Sequence, residues 1–239
     1  LAAAIAWRGL NRRSIVMALA GIFSNMVMIG ITLVELAYGK EGQVTLLTLV
    51  SVHALILLTL GSIVLELAVA REARAGGQRV PHVLSTAWSA FKGALIHPIP
   101  LPILCGLLFA QTGLTLPTVV DKPLQLLGSA FGPIALVLVG VTLARTPMAG
   151  HLRQALWISI SKNLVLPLLV GLSAWAMGIT GLPLTVMVVA AALPVGANVF
   201  LFAQRYEVAQ ELTTAAMGLS TVLALFTLSL VMLVMSYLN

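Results

Sequence analysis

Long apolar stretches recur along the whole chain and are separated by short turns that hold Gly, Pro and charged residues. A hydrocarbon core about 30 Å thick needs about 20 apolar residues in a helix to cross it. By this measure the pattern predicts membrane-spanning helices at Ser14–Ala37, Val44–Ala70, Gly93–Thr112, Pro123–Ala144, Ala155–Met177, Leu182–Gln204 and Leu212–Leu238. The pattern is therefore that of an all-α integral membrane protein.

Two of these predicted helices carry polar residues near their centres. Ser24 and Asn25 lie inside Ser14–Ala37, and Pro194–Asn198 lies inside Leu182–Gln204. An unpaired amide at the centre of a bilayer costs on the order of several kcal/mol. In transporters, discontinuous helices bring half-helix ends to a binding site at mid-membrane. The two breaks therefore predict a substrate site where the two helices meet.

The second break has a clear local cause. Pro194 has no N–H and clashes with the carbonyl of Ala190, so the helix opens there, and Gly196 leaves room for a ligand. Asn198 offers a donor and an acceptor, and the half-helix that follows the break presents free N–H groups to an anion. The alternative is a plain proline kink with Asn198 bonded to a neighbouring helix. In the first helix, Gly30 is the corresponding interruption of the apolar run.

Two ionisable residues inside spans have alternative interpretations. Lys162, about two turns into Ala155–Met177, either snorkels to the cytoplasmic surface or faces the bundle as a counter-charge or substrate ligand. His53, inside Val44–Ala70, is either a proton carrier for coupled transport or a helix-to-helix hydrogen-bonding group.

Composition supports the membrane assignment and excludes other classes. The chain has 239 residues, of which 60% are hydrophobic and only 8% charged, against about 25% charged in soluble domains. The single cysteine, Cys105, allows no intrachain disulfide, and the four histidines are too scattered to indicate a metal site. A nucleophile elbow and a phosphate loop are absent. We therefore expect neither an enzyme nor a bound cofactor, and no nucleic-acid partner.

Basic residues predict the orientation. Ten of the 13 Lys and Arg residues lie in alternate loops, and two lie in the intervening loops. Since Lys and Arg are retained on the cytoplasmic side, residues 71–92 form a cytoplasmic linker in a cell (inner) membrane protein. This linker separates residues 1–70 from a second repeat at 93–239.

The two parts are similar to each other. Asn25 precedes Tyr38 by 13 positions and Pro194 precedes Tyr206 by 12, and a polar turn and another long helix follow each tyrosine. Leu1–Trp7 reads either as the end of a helix or as a short interfacial segment. With the first reading, two helices and most of a third precede this chain, and the whole is a five-plus-five inverted repeat.

Several stretches carry a family resemblance by their order and spacing. They are Phe23–Gly30, His97–Ile99, Leu126–Leu136, Val139–Leu143, Lys162–Pro167, Ala192–Tyr206 and Leu219–Leu225. Together they resemble the auxin efflux carrier family, within the bile acid/sodium symporter-like superfamily. The chain departs from that family at Gly30-Ile31-Thr32, where Gly-Leu-Pro is usual, and at His97, where Asn often precedes the proline.

The resemblance implies a ten-helix carrier whose fourth and ninth helices cross at their breaks. It implies a secondary active transporter that moves a small organic anion, a carboxylate, by alternating access. Asn25, Asn198 and Lys162 match family positions, and with Ser24 they are the expected substrate ligands. The alternatives are a cation-coupled symporter and a non-transporting sensory or structural membrane protein. Proton or sodium coupling and a homodimer are left open beside the lipid bilayer as partners.

The topology leads to a first test. In a Cys105→Ser background, a cysteine at position 85 in the linker should resist a membrane-impermeant maleimide in sealed right-side-out vesicles, because the linker is cytoplasmic. A cysteine introduced in place of Glu41, in the opposite turn, should be labelled. Labelling at position 85 alone would reverse the predicted orientation.

Overall fold

The computed structural model describes residues 11–75, 88, 92, 100–145 and 150–238. In these ranges the chain forms nine α-helices and two π-helical turns. In chain order they are α1 (Arg12–Ile22), the first π-turn (Met26–Gly30), α2 (Ile31–Ala75), α3 (Pro100–Gln111), α4 (Thr118–Arg145), α5 (Leu152–Ile160), the second π-turn (Ser161–Val165), α6 (Leu166–Ala176), α7 (Gly181–Ala192), α8 (Ala197–Arg205) and α9 (Gln210–Leu238). The all-α fold is confirmed.

The surface of this bundle suits a lipid environment. Among the described residues, the continuous stretches Met26–Ala73, Leu152–Ala176 and Gln210–Leu238 are long and apolar enough to cross a membrane. Large apolar side chains such as Leu126, Trp175 and Phe226 are exposed. Since lipid tails are as apolar as leucine, such side chains lie outside a membrane protein at no cost.

One long helix is in fact two. Gly39 has a φ of 66° and a ψ of −164°, which interrupts α2 between residues 31–38 and 40–75. Glycine adopts a positive φ without the steric penalty of a side chain. The break falls in the turn predicted between Ser14–Ala37 and Val44–Ala70. At its other end α2 continues to Ala75, so the first residues of the predicted linker are helical.

Other expectations lie outside the described residues. They concern Leu1–Trp7, residues 76–87 of the linker, and the His97-Pro98 pair. The inverted repeat and the division into residues 1–70 and 93–239 stay predictions.

The apolar core has two main clusters, one on either side of a crossing. The first joins α1, through Ile15 and Leu19, to α8, through Val199 and Phe202, and to the second part of α2. The second joins α7 to the first π-turn and to both parts of α2; its buried members include Val186, Val189, Met26, Val34 and Leu46. Phe23 and Val195 belong to the first cluster, and Leu193 belongs to the second. The boundary between the clusters therefore falls at the two segments, around Phe23 and around Leu193–Val195, where the helices are interrupted.

At this boundary two interrupted helices cross. The segment between α1 and the first π-turn pairs in antiparallel fashion with the segment between α7 and α8, at Ser24 and Val195. The N–H of Asn25 donates to the carbonyl of Pro194 at 2.9 Å, and the N–H of Gly196 donates to the carbonyl of Phe23 at 2.8 Å. The crossing of two broken helices is thus confirmed.

Gly30 was predicted to interrupt the first helix, but it lies beyond the break. It ends the first π-turn, five residues after Asn25, and takes no part in the backbone pairing. A Cβ atom at this position would lie 2.7 Å from Cδ1 of Leu193. Gly30 therefore allows the first π-turn to pack closely against the end of α7, and it does not itself open the helix.

Gly196 should tolerate substitution poorly, because it lies against the backbone of the other crossing segment. A Cβ there would lie 2.9 Å from the carbonyl oxygen of Ser24 and 3.1 Å from its carbonyl carbon. Relief requires a backbone shift at the paired segments, so Gly196→Ala should destabilise the protein by about 1–3 kcal/mol. Thermal unfolding of the detergent-purified protein measures this. The control is Gly21→Ala in α1, where a Cβ meets no atom within 4 Å; equal stability of the two variants would contradict the tight crossing.

Candidate functional site

The unwound segment between α7 and α8 is buried, so each of its polar backbone groups needs a partner. Pro194 supplies no N–H, and its carbonyl accepts from Asn25 across the crossing. The N–H of Val195 donates to Oγ of Ser220, on α9, at 3.0 Å. The carbonyls of Ala191 and Leu193 both accept from Nζ of Lys162, each at 2.6 Å. Side chains from two other helical elements therefore stabilise the break.

Lys162 lies in the second π-turn and is fully buried. Its ammonium group lies at the carboxyl end of α7, where the free carbonyls and the helix dipole carry partial negative charge. The side chain therefore does not snorkel to the surface. It is also absent from the lining of the cavity described next, so its predicted role as a direct substrate ligand does not fit this geometry.

The neighbouring residue supports the same region. Nδ2 of Asn163 donates to the carbonyl of Ser220 at 2.8 Å, and Ser220 in turn binds Val195. Two consecutive residues thus reach two different partners near the break. A π-turn widens the helix locally and changes which side chains face a neighbour, and such turns are frequent at functional sites.

A cavity of about 110 Å³ lies beside the crossing. Its polar lining residues are Ser24, Asn25, His53 and Asn198, and its remaining lining residues are Phe23, Met26, Val27, Met28, Val50, Ala54, Gly196 and Ala197. The structure therefore brings together three of the four predicted ligands, and it adds His53 from α2. The apolar wall was not predicted, since its residues are indistinguishable in sequence from other apolar positions of the same helices.

The amino end of α8 opens at this cavity. Gly196 is its N-cap, in an extended conformation and without a side-chain cap, while Ala197 and Asn198 form the start of the helix and line the cavity. The first N–H groups of a helix have no partner within the helix and carry partial positive charge. This end of the cavity is therefore suited to an anion.

Two buried polar atoms in the cavity wall have no partner among the described residues. They are Oγ of Ser24 and Nε2 of His53. The His53 ring contacts the Phe23 ring edge to face, with centroids 5.5 Å apart and planes at 80°. A buried polar group left unpaired costs about 1–3 kcal/mol, so both atoms are free to bind a ligand or water in this cavity.

A polar cluster joins the other ends of α1 and α8. Nε of Arg12 contacts Oε2 of Glu72 at 2.7 Å, and Nη1 of Arg12 donates to the carbonyl of Tyr206 at 3.3 Å. The hydroxyl of Tyr206 donates to Oε1 of Glu66 at 2.9 Å. Burial, together with Glu66, raises the pKa of Tyr206, so the phenol keeps its proton and remains the donor.

Comparison with known proteins places the chain in a family. A sequence model of the family described as "Membrane transport protein" matches residues 2–232. The chain belongs to this family. The resemblance to auxin efflux carriers is thereby confirmed.

A curated relative is consistent with that membership. The chain is 29% identical over 212 residues to a protein of Rhizobium meliloti (strain 1021) that carries the name "Putative malonate transporter". The match covers 88% of this chain and 63% of that relative, so the chain spans somewhat less than two thirds of the relative's length.

The capping role of Lys162 can be measured as stability. Lys162→Met keeps the length of the side chain but leaves the carbonyls of Ala191 and Leu193 without their donor. An unpaired buried carbonyl costs about 1–3 kcal/mol, so the midpoint of thermal unfolding should fall clearly. The control is Lys122→Met at an exposed position of α4, which should change it little. Equal midpoints for the two variants would show that the ammonium does not hold the break.

Proposed function

We propose that the protein is a secondary active transporter that moves a small carboxylate across the cytoplasmic membrane by alternating access. The observation that carries this proposal is the uncapped amino end of α8, which opens into the cavity. Asn198 of α8 and Asn25 of the other crossing segment line the same cavity, and its described lining contains no carboxylate. The helix end and the amide N–H groups favour a negative ligand, and no carboxylate of the described lining repels one.

In this proposal the substrate carboxylate accepts hydrogen bonds from the first N–H groups of α8 and from the amide of Asn198. Asn25 provides a second amide from the other crossing segment. Lys162 acts indirectly, because it holds two carbonyls at the carboxyl end of α7 and thereby positions the start of α8. Its positive charge also adds to the potential behind the crossing.

The size of the cavity favours a small substrate. Its volume of about 110 Å³ is well below the roughly 300–1,000 Å³ of pockets that hold drug-sized ligands. The name of the Rhizobium meliloti relative supports an acid of the size of malonate.

The arrangement of the core supports movement of one part against the other. The two broken helices are joined at the crossing by a short backbone pairing, while their arms pack in separate apolar clusters. Rigid-body rocking around a fixed central site is the usual form of alternating access in carriers with broken helices.

Proton coupling fits the lining of the cavity better than sodium coupling does. The described lining contains no carboxylate to balance the charge of a bound sodium ion, whereas it does contain an imidazole that can carry a proton. His53 is the titratable residue of the lining, and we propose it as the group that carries the proton.

Charge reversal at Asn198 tests the site. Asn198→Asp places a negative charge against the substrate, and two unit charges about 4 Å apart repel by roughly 4 kcal/mol at an effective dielectric constant of 20. Binding of malonate to the purified protein, measured by calorimetry, should be lost. Asn198→Ala should weaken binding less, because it removes hydrogen bonds without adding repulsion.

Asn11→Asp is the matched control. Oδ1 of Asn11 accepts from the N–H of Ser14 at the start of α1, outside the cavity, and an aspartate can keep this cap. It adds the same charge and should leave malonate binding unchanged. If Asn198→Asp binds malonate as well as the wild type does, the substrate does not lie at this crossing.

A further inference from the structure

We propose that Ser24 and His53 form a second polar subsite in the same cavity, which binds a second acidic group of the substrate and makes the site selective for dicarboxylates. The inference rests on the proposed function, since it assigns the far end of a substrate whose first carboxylate lies at the amino end of α8.

The cavity offers more polar groups than one carboxylate needs. The N–H groups at the start of α8, with the amides of Asn198 and Asn25, are sufficient for one carboxylate. Oγ of Ser24 and Nε2 of His53 then remain, both buried in the same wall and without a partner among the described residues. A substrate with one polar end would leave both atoms without a hydrogen-bond partner from the ligand.

Oγ of Ser24 and Nε2 of His53 belong to two elements other than α8. Ser24 lies on the crossing segment and is only 5% exposed. His53 lies on the second part of α2, beside Val50 and Ala54 of the same apolar wall. A ligand that pairs with both of them as well as with the amino end of α8 needs more polar atoms than a single carboxylate provides.

The groups that surround His53 in the cavity are uncharged: Phe23, Ser24 and Asn25 on the crossing side, and Ala197 and Asn198 on α8. Lys162 of the second π-turn is also buried in this region but does not line the cavity. A proton on His53 would therefore stand in the cavity wall without a counter-ion, and a substrate carboxylate beside His53 supplies one.

Binding of a dicarboxylate should therefore be accompanied by a proton on His53, whereas binding of a monocarboxylate should not. The proton is taken up from solution with the second carboxylate, so that a dianion and one proton enter the site together. Lower pH then strengthens dicarboxylate binding, by at most about tenfold per pH unit when one proton is taken up.

Malonate and its monomethyl ester are suitable probes, because they share a carbon skeleton and differ by one negative charge. Calorimetry of the purified protein between about pH 6.5 and pH 8.5, in buffers with different ionisation enthalpies, gives both affinity and proton uptake. We expect the wild type to bind malonate about 10- to 100-fold more tightly than the monoester, which is the range for a hydrogen bond to a charged group. Proton uptake should approach one with malonate and zero with the monoester.

His53→Gln keeps a hydrogen-bonding side chain but cannot carry the proton. It should abolish both the preference for malonate and the proton uptake, while monoester binding stays close to that of the wild type. The matched control is His151→Gln in the loop before α5, outside the cavity, which should change neither quantity. Ser24→Ala should lower malonate affinity several-fold with little effect on the monoester, and it keeps the test decisive if the His53 variant does not fold.

The outcomes separate this inference from the proposed function. If Asn198→Asp abolishes binding of both ligands while His53→Gln retains the malonate preference and the proton uptake, the second subsite is wrong and the carboxylate site stands. If the wild type binds neither ligand, both proposals are overturned.

Discussion

The structure depends on the pairing between Ser24 and Val195, where two short extended segments exchange backbone hydrogen bonds. In hydrocarbon, a helix cannot be opened unless another group takes up the hydrogen bonds that it gives up. Here each broken helix supplies what the other lacks, since the N–H of Asn25 reaches the carbonyl of Pro194 and the N–H of Gly196 reaches the carbonyl of Phe23. Neither break would be stable alone, so the two define a single site rather than two independent kinks.

The electrostatics of this site follow from how the broken helix is completed on its two sides. The carboxyl end of α7 is closed by the ammonium of Lys162, which lies within the protein. The amino end of α8 has no side-chain cap and opens at the cavity. The negative end of the interrupted helix is therefore neutralised by the chain itself, and the positive end remains available to a ligand. This asymmetry explains why the cavity suits an anion even though the lysine of the site does not line it.

The sequence was most informative where a residue type has one structural meaning. Pro194 removes a backbone N–H at the centre of a span, and Asn25 and Asn198 are too polar for a lipid-facing position, so the crossing could be predicted. The orientation of Lys162 could not, because it depends on a π-turn that no local residue pattern announces. Ser220 is a further example: it resembles other serines of an apolar helix, yet its hydroxyl accepts from the N–H of Val195. His53 was ambiguous for the same reason, since only the packing of α2 against the crossing places it in the cavity wall.

The cluster of Arg12, Glu72, Tyr206 and Glu66 has a mechanical consequence. It fastens the start of α1 to the end of α8, and the backbone pairing fastens the end of α1 to the start of α8. Contacts at both ends oppose rotation of α1 against α8 about their crossing, so the two helices form one unit. In the proposed alternating access, α1 and α8 would therefore move together. The second part of α2 would move with them, because Glu66 and Glu72 bind Tyr206 and Arg12.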